Sequence, residues 1–490
     1  MENFFGNPKV SFRIIRDKGN YAPISFLIPF IGFLAILKVD EFFSHLFTPS
    51  QKKVKYSAKD KSITQIIAIA AFCNYTLHIN SKLAGLSTLA NRIKLKRFPE
   101  QSTINRFLNA FTLSNVEEMG LIHKHLFEQY TVNKKEEKVV VDIDGTGIAV
   151  TGENFEFARK GYFPGQRGKR GYKITLASAP HKIGSEVLAF TFNPGNISES
   201  SCFYEVLYGA LDVLGSKEKV ECLRMDRHFG SGAMIEYIMD EGLKFVTKIY
   251  NSVSTKQWLG DKIEWEEVSS TTGAYEVGWV SLPNCKYKVR VVLMKKKTKK
   301  GVSYDAILTN YTLLEKDTVE LVVFYNQRQK IEAFFKEDKN CLGIRHLRVK
   351  KYEGIWGFLW FAFITNNLLL WFRHYVLGRT PLEKLGFKSL YAVLENLLIH
   401  VVRKGKIVKI EFICFNKLQE IFIERALKWI EDFYIFFSKE TADRELGRFR
   451  VVVYNLSLFW VIFCVMGSFE RNSREKKEAA IEWMRQVLAF

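Results

Sequence analysis

The stretch KVVVDIDGTGIAV, residues 138–150, decides the class of the fold. Its apolar, β-branched run is typical of a buried strand, and it ends in two acids, Asp142 and Asp144. Side chains alternate along a strand, so both acids are predicted to point to the same face. We take Asp144 as the functional acid, because it precedes Gly-Thr and lies nearer the strand end. Asp142 remains the alternative.

The segments that follow predict an alternation of strands and helices. Strands are expected at KITLASAP (173–180), VLAFTFN (187–193), VECLRMD (220–226) and KFVTKIY (244–250), with helices at 201–214 and 231–242. The fourth strand again ends in an acid, Asp226. Strands separated by helices imply some parallel pairing, so the sequence predicts a mixed α/β class.

The flanking regions break this alternation. AYEVGWVSL, KYKVRVVLM and SYDAILTN predict a small antiparallel insertion, with the basic turn KKKTKKG between two of its strands. Upstream, FPEQSTINRFLNAF predicts a loop and then a helix, with Ser102 or Thr103 as N-cap. The predicted division is an N-terminal arm (1–60), a helical DNA-binding region (61–135), a catalytic domain in two parts (136–250 and 311–400), a β-rich insertion (251–310) and a C-terminal region (401–490).

Composition favours a polyanionic partner. The chain of 490 residues carries 72 Lys plus Arg against 52 Asp plus Glu, a formal charge of +20, which favours nucleic acid first and an anionic membrane surface second. Seven scattered cysteines without a C-x-x-C pair argue against structural zinc and disulfides. Apolar runs at 22–37, 355–372 and 451–469 contain Pro, Gly, Asn or Ser. They are predicted to be core segments of a cytoplasmic protein rather than membrane spans.

The helix predicted from YNQRQKIEAFFKEDKN, residues 325–340, carries a narrow polar ridge. Tyr325, Arg328, Glu332 and Lys339 fall within a stripe roughly 60° wide at about 100° per residue. On spacing alone, an amphipathic helix with solvated charges is the favoured interpretation. Two acids predicted at strand ends earlier in the chain, Asp144 and Asp226, favour a metal site instead. Three carboxylates converging on one sheet edge would bind two Mg²⁺ or Mn²⁺ ions, which activate an attacking oxygen and stabilise the leaving oxygen of a phosphodiester.

The pattern Tyr325-x2-Arg328-x3-Glu332-x6-Lys339 resembles the Tyr-Arg-Glu-Lys signature of bacterial insertion-sequence transposases of the DDE class. The resemblance covers about residues 85–375 and implies a ribonuclease H-like catalytic domain with a β-rich insertion and flanking helical regions. It further implies that Asp144, Asp226 and Glu332 are the catalytic metal ligands, and that Tyr325, Arg328 and Lys339 contact phosphates of the double-stranded transposon end.

The implied reaction is cut-and-paste transposition by hydrolysis at the element end and strand transfer to target DNA. A homodimer in the DNA complex is expected from the resemblance alone. Two other functions stay open: a transposase descendant that binds DNA without cutting it, and a haloacid dehalogenase-type phosphatase with Asp142 as nucleophile and Asp144 as general acid/base. The phosphatase would need a downstream acidic pair that the sequence does not convincingly supply. A basic membrane protein that uses the apolar runs is a further alternative.

Overall fold

The fold was analysed in a computed structural model of the chain. The structure describes residues 21–22, 26–45, 55–73, 78–83, 90, 95–166, 168–250, 255, 257–259, 263–298, 301–328, 341–347, 349–404, 407–440, 452–455 and 459–462.

The described residues form helices and strands along most of the chain. The α-helices are α1 Leu27–Ile36, α2 Val39–His45, α3 Ala58–Ala70, α4 Gln101–Asn109, α5 Leu113–Tyr130, α6 Phe203–Leu214, α7 Gly232–Asp240, α8 Thr318–Asn326, α9 Tyr352–Tyr375, α10 Phe387–Leu394 and α11 Lys417–Glu440. The strands are β1 Tyr21–Ala22, β2 Val139–Val150, β3 Arg159–Lys160, β4 Arg170–His181, β5 Gly184–Pro194, β6 Val220–Met225, β7 Phe245–Lys248, β8 Glu266–Ser269, β9 Thr272–Ser281, β10 Lys288–Thr298, β11 Gly301–Thr309, β12 Leu398–Lys404, β13 Ile407–Ile413, β14 Val452–Asn455 and β15 Phe459–Ile462.

A ten-stranded mixed sheet is the centre of the larger of two compact units, which covers Phe30–Leu390. Its order is β3-β4-β2-β6-β7-β11-β10-β9-β8, with β5 also paired to β4. Strands β2, β6 and β7 are parallel, because α6 and α7 provide the crossovers between β5, β6 and β7, whereas the neighbours on both sides are antiparallel. The predicted alternation of elements and the mixed α/β class are confirmed. The arrangement is compatible with a ribonuclease H-like fold.

The predicted antiparallel insertion continues this sheet. Strand β11 pairs with both β10 and β7, so the strands after β7 extend the same sheet sideways. Their inner face carries Val292, Met294 and Ile307, which pack with Leu321 and Val322 of α8 in one buried cluster. The insertion therefore provides the surface on which α8 lies.

Helix α4 corrects one detail of the prediction. The expected apolar positions Ile104, Phe107, Leu108 and Phe111 are all fully buried. However, the N-cap is Glu100 rather than Ser102 or Thr103, and it makes no side-chain cap hydrogen bond. Proline favours extended backbone or the first turn of a helix, so Pro99 is compatible with a helix start close behind it. The helix accordingly begins at Gln101, directly after Glu100.

Helix α9 is the one described helix long and apolar enough to cross a membrane, and 83% of its most apolar window is buried inside the protein. It packs on α3, α4, α5 and β5. Its polar residues bind the edge of the sheet: Asn367 accepts from the Val187 N–H at 2.9 Å and donates to the Val187 carbonyl at 3.0 Å. Trp371 donates to the buried Glu186 carboxylate at 2.5 Å. These bonds identify α9 as a core helix, as predicted for residues 355–372.

The smaller unit comprises Tyr391–Trp483 with Met1–Pro29. It contains a three-stranded antiparallel sheet, β1-β12-β13, and the hairpin of β14 and β15. Gln419 of α11 donates to the Val393 carbonyl at 2.8 Å, which anchors the start of that helix. Strands β13, β14 and β15 and helix α11 lie within the C-terminal region, 401–490. Much of the third apolar run, 451–469, lies outside the described residues.

Candidate active site

The pairing register of β2 and β6 places two predicted acids side by side. The parallel pairing ends at the pair Ile143 and Met225, and Asp144 and Asp226 are the next residue on each strand. Beyond this point β2 continues beside β4 alone, so the edge facing β6 opens at the level of the two acids. Two carboxylates from segments more than 80 residues apart thereby share one end of the sheet.

Backbone turns hold both carboxylates in place. Asp144 Oδ1 accepts from the Gly145 N–H at 2.8 Å, and Asp226 Oδ1 accepts from the Arg227 N–H at 2.7 Å. Asp226 caps a short 3₁₀ turn, Arg227–Phe229, and the residue after the turn, Gly230, packs so tightly on the Lys248 carbonyl that a Cβ there would overlap it. The LRMDRHFGSG sequence therefore folds back against β7 and fixes the direction of the second acid.

Arg328 joins the two acids. Its Nη1 lies 3.0 Å from Asp144 Oδ2, and its Nη2 lies 3.8 Å from Asp226 Oδ1. Arg328 follows the last turn of α8, and its residue is only 7% exposed. Of the four residues in the predicted ridge, Tyr325 and Arg328 are therefore brought to the acids. Glu332 and Lys339 lie outside the described residues.

The two carboxyl groups differ in their electrostatics. Burial raises the pKa of Asp144 to about 6, and the negative charge of Asp226 adds to the rise, although Arg328 opposes it. Burial also acts to raise the pKa of Asp226, but Arg328, the Arg227 amide and His228 outweigh it, so its pKa is lowered. His228 Nδ1 lies 3.3 Å from Asp226 Oδ2. The charged form of Asp226 is therefore stabilised, whereas burial disfavours the charged form of Asp144.

Tyr325 is buried rather than exposed on a ridge. It is 4% exposed and belongs to the cluster under α8, and burial raises its pKa. Two cations face its ring, the Lys248 ammonium at 5.6 Å from the centroid and the Arg328 guanidinium carbon at 6.0 Å. Such contacts are attractive because the ring face is electronegative. The Tyr325 ring therefore helps to hold Lys248 and Arg328 beside the acids.

A second cluster of charged side chains lies on the sheet next to the acids. The sequence did not predict this cluster. Asp305 of β11 accepts from Lys248 at 2.7 Å and from Arg227 at 3.1 Å. Lys296 of β10 donates to Asn326, the last residue of α8, at 3.1 Å. Lys248 and Asp305 could have been found from the alternation of β7 and β11, but only with their pairing register known.

Asp142 does not share the open edge with Asp144. It is fully buried, and Arg224 of β6 binds both of its oxygens, Nε–Oδ1 at 2.6 Å and Nη2–Oδ2 at 2.8 Å. A carboxylate in this position cannot act as the exposed nucleophile that the phosphatase alternative requires. The choice of Asp144 over Asp142 as the acid at the edge agrees with this geometry.

The donor set fits a divalent metal, although Asp144 and Asp226 alone do not complete a site. Their oxygens approach one cation, the Arg328 guanidinium, from two strands, and carboxylate oxygens are the donors that Mg²⁺ and Mn²⁺ prefer. Within the described part of the chain, no group of three or more His, Cys, Asp or Glu side chains is placed to hold a metal ion.

The mixed sheet, with Asp144 and Asp226 beside each other where the pairing of β2 and β6 ends, is compatible with the ribonuclease H-like fold of DDE transposases. The chain belongs to the family described as transposase DDE domain group 1, whose model matches residues 76–431, most of the sequence. That family acts on DNA and generally uses divalent metal ions. No match was found among curated proteins.

Proposed function

We propose that this protein is an insertion-sequence transposase that excises and inserts a DNA element by two-metal phosphodiester hydrolysis and strand transfer. The observation that carries the proposal is the meeting of Asp144, Asp226 and Arg328, each from a different element. The family membership supports DNA as the substrate. The cut-and-paste route and the bacterial cytoplasm as the place of action are parts of the proposal.

In this proposal Asp144, Asp226 and Glu332 would hold two Mg²⁺ or Mn²⁺ ions. Bound ions of this kind lower the pKa of an attacking oxygen and neutralise charge on the leaving oxygen. The protein contributes by fixing one carboxylate within strand β2 and the other directly after strand β6, so that neither has to be reoriented. Partial burial of Asp144 also limits competition from bulk water for its oxygens.

Arg328 and Lys339 are the proposed contacts to phosphates at the transposon end. A guanidinium has five donors in a planar fork, so Arg328 can donate to a phosphate oxygen and to a carboxylate together. Tyr325, which is buried beneath Arg328, acts in this account mainly by holding the guanidinium in place. A homodimer in the DNA complex would bring two ends together.

The test is cleavage of a labelled duplex that carries the DNA flanking this gene. Wild-type protein is incubated with Mg²⁺, Mn²⁺ or excess chelator, and the 3′-hydroxyl product is then offered a target plasmid. The proposal requires metal-dependent nicking at the element ends followed by joined product. Binding to the ends without nicking under any metal would contradict the enzymatic part and leave a DNA-binding descendant.

A further inference from the structure

We propose that Asp142 and Arg224 form a positioning device that aims Arg328 at the two acids and fixes the separation of Asp144 from Asp226. The inference rests on the proposed function and adds two residues to it. Neither residue is among the proposed metal ligands or phosphate contacts. Asp142 and Arg224 act through other residues and touch no substrate.

The first observation is the burial of this ion pair. Arg224 is 1% exposed and Asp142 is fully buried, and both guanidinium–carboxylate bonds are short. Removing two charges from water costs as much as their attraction returns, so an apolar pair of similar volume would serve stability equally well. The presence of this buried ion pair is better explained by its directional bonds. They fix the relative positions of two strands, which apolar contacts of the same volume would not do.

The second observation is the position of the pair in the register. Asp142 and Arg224 are directly opposite each other on the parallel strands β2 and β6. Each stands two residues before an acid of the site, Asp144 or Asp226, and so on the same face of its strand. A bidentate bond between the strands fixes their relative shift, and the same shift sets the distance between the two acids.

The third observation links the pair to α8. Arg224 Nη1 donates to the Phe324 carbonyl at 2.8 Å, and its guanidinium carbon lies 5.2 Å from the centre of the Phe324 ring. In a continuing α-helix that carbonyl would receive the N–H of Arg328. Instead the Arg328 N–H donates to the Tyr325 carbonyl at 3.0 Å, so the chain tightens there. The tightened turn directs the Arg328 side chain to Asp144 and Asp226.

The chain offers a matched control in Arg290. This residue is also fully buried and binds both oxygens of Glu276, at 3.0 and 2.8 Å. It also donates to a backbone carbonyl, that of Lys316, at 2.6 Å, just before α8 begins. Arg290 therefore repeats the chemistry of Arg224 at the opposite end of the same helix, away from the acids.

The experiment compares Arg224→Lys with Arg290→Lys in the full chain. Lysine keeps the charge but cannot make two parallel bonds and a third to a carbonyl. We expect Arg224→Lys to reduce the rate of end cleavage and the affinity of the DNA-free protein for Mn²⁺, measured by calorimetry, each by about 10- to 100-fold, the range found when residues behind metal ligands are changed. End binding should stay within about threefold, because the phosphate contacts remain. Arg290→Lys should lower the melting temperature to a similar degree without either change.

A double variant, Asp142→Leu with Arg224→Met, separates positioning from folding. It removes both charges and preserves volume, so it should fold, but it should show the same loss of cleavage and Mn²⁺ affinity. The inference is overturned if wild type cleaves and Arg224→Lys cleaves and binds Mn²⁺ as Arg290→Lys does. If wild type does not cleave, the proposed function fails, yet the Mn²⁺ affinities still decide whether Arg224 positions the acids.

Discussion

Arg328 lies 3.0 Å from Asp144, although 183 positions separate them in the chain and they belong to different elements. The contact exists because α8 lies on the strands of the insertion and ends beside the parallel strands β2 and β6. The same guanidinium faces Asp226.

Replacing Arg328 by alanine should weaken binding to the element end and make that binding less sensitive to salt. Each phosphate neutralised by a cation releases counterions, so loss of one contact reduces the slope of log K against log salt by about 1. Binding is measured by fluorescence anisotropy between roughly 50 and 200 mM salt. Lys217→Ala is the control, because Lys217 precedes β6 at the end opposite Asp226. Equal slopes for wild type and Arg328→Ala would contradict the phosphate role.

Asn substitutions of the two acids should have opposite effects on stability in the absence of metal. The pKa of Asp144 is raised to about 6, so the folded state holds a proton that the unfolded state releases, and stability falls as pH rises from about 4 to 6. Asp144→Asn should escape this loss and gain on the order of 3 kcal/mol relative to wild type across that interval. Urea unfolding in chelator at several pH values measures it.

The matched variant is Asp226→Asn. The pKa of Asp226 is lowered, so its charge stabilises the folded state above its unfolded pKa, and that stabilisation is lost as pH falls through the lower folded value. Asp226→Asn should therefore destabilise the metal-free protein at neutral pH and make little difference in acid. If both variants changed the free energy of unfolding in the same direction at neutral pH, Arg328 would not distinguish the two acids in this way.

Glu332→Gln should abolish strand cleavage and leave end binding largely intact. The substitution removes a proposed metal ligand but preserves side-chain volume and the neighbouring cations. Glu337→Gln, in the same stretch of sequence, is the control and should cleave normally. Rates are compared on an end-labelled duplex with Mg²⁺. Cleavage by Glu332→Gln at the rate of Glu337→Gln would remove Glu332 from the site.

Asn367→Leu should destabilise the larger unit by about 1–3 kcal/mol. It leaves the buried N–H of Val187 without its side-chain acceptor, and it leaves the Val187 carbonyl with the His123 ring as its remaining side-chain partner. Thr365→Val is the control, because the Thr365 hydroxyl bonds only its own helix, at the Phe361 carbonyl, among the contacts described. Thermal unfolding of both variants gives the comparison. An unchanged or raised melting temperature for Asn367→Leu would contradict the role of α9 as a core helix.

Local patterns were sufficient to predict the mixed α/β class and that Asp144 and Asp226 lie near each other on the sheet. Alternating and apolar runs indicated the strands, and Asp226 does follow the end of β6, whereas β2 continues past Asp144 to Val150 because it stays paired with β4. The different environments of Asp142 and Asp144 were beyond such patterns. Both lie on one face of β2, and only the register with β6 places Arg224 opposite Asp142.

Helix periodicity likewise predicted a stripe that contains Tyr325 and Arg328, but not the burial of Tyr325. That burial depends on β10 and β11, whose apolar faces form the floor beneath α8. The contacts of Lys248 with Asp305 and Tyr325 have the same origin. Contacts between distant strands depend on register, which a single sequence does not encode in any local pattern.

The most direct test of the central claim is the cleavage of the element ends by Asp226→Asn beside Asp305→Asn. Both variants neutralise one acid on the same face of the sheet, but only Asp226 stands beside Asp144 at the end of β6. With Mg²⁺ or Mn²⁺, we expect nicking by wild type and by Asp305→Asn, and none by Asp226→Asn, while all three bind the ends. Nicking by Asp226→Asn at the wild-type rate would contradict a catalytic centre built on Asp144 and Asp226.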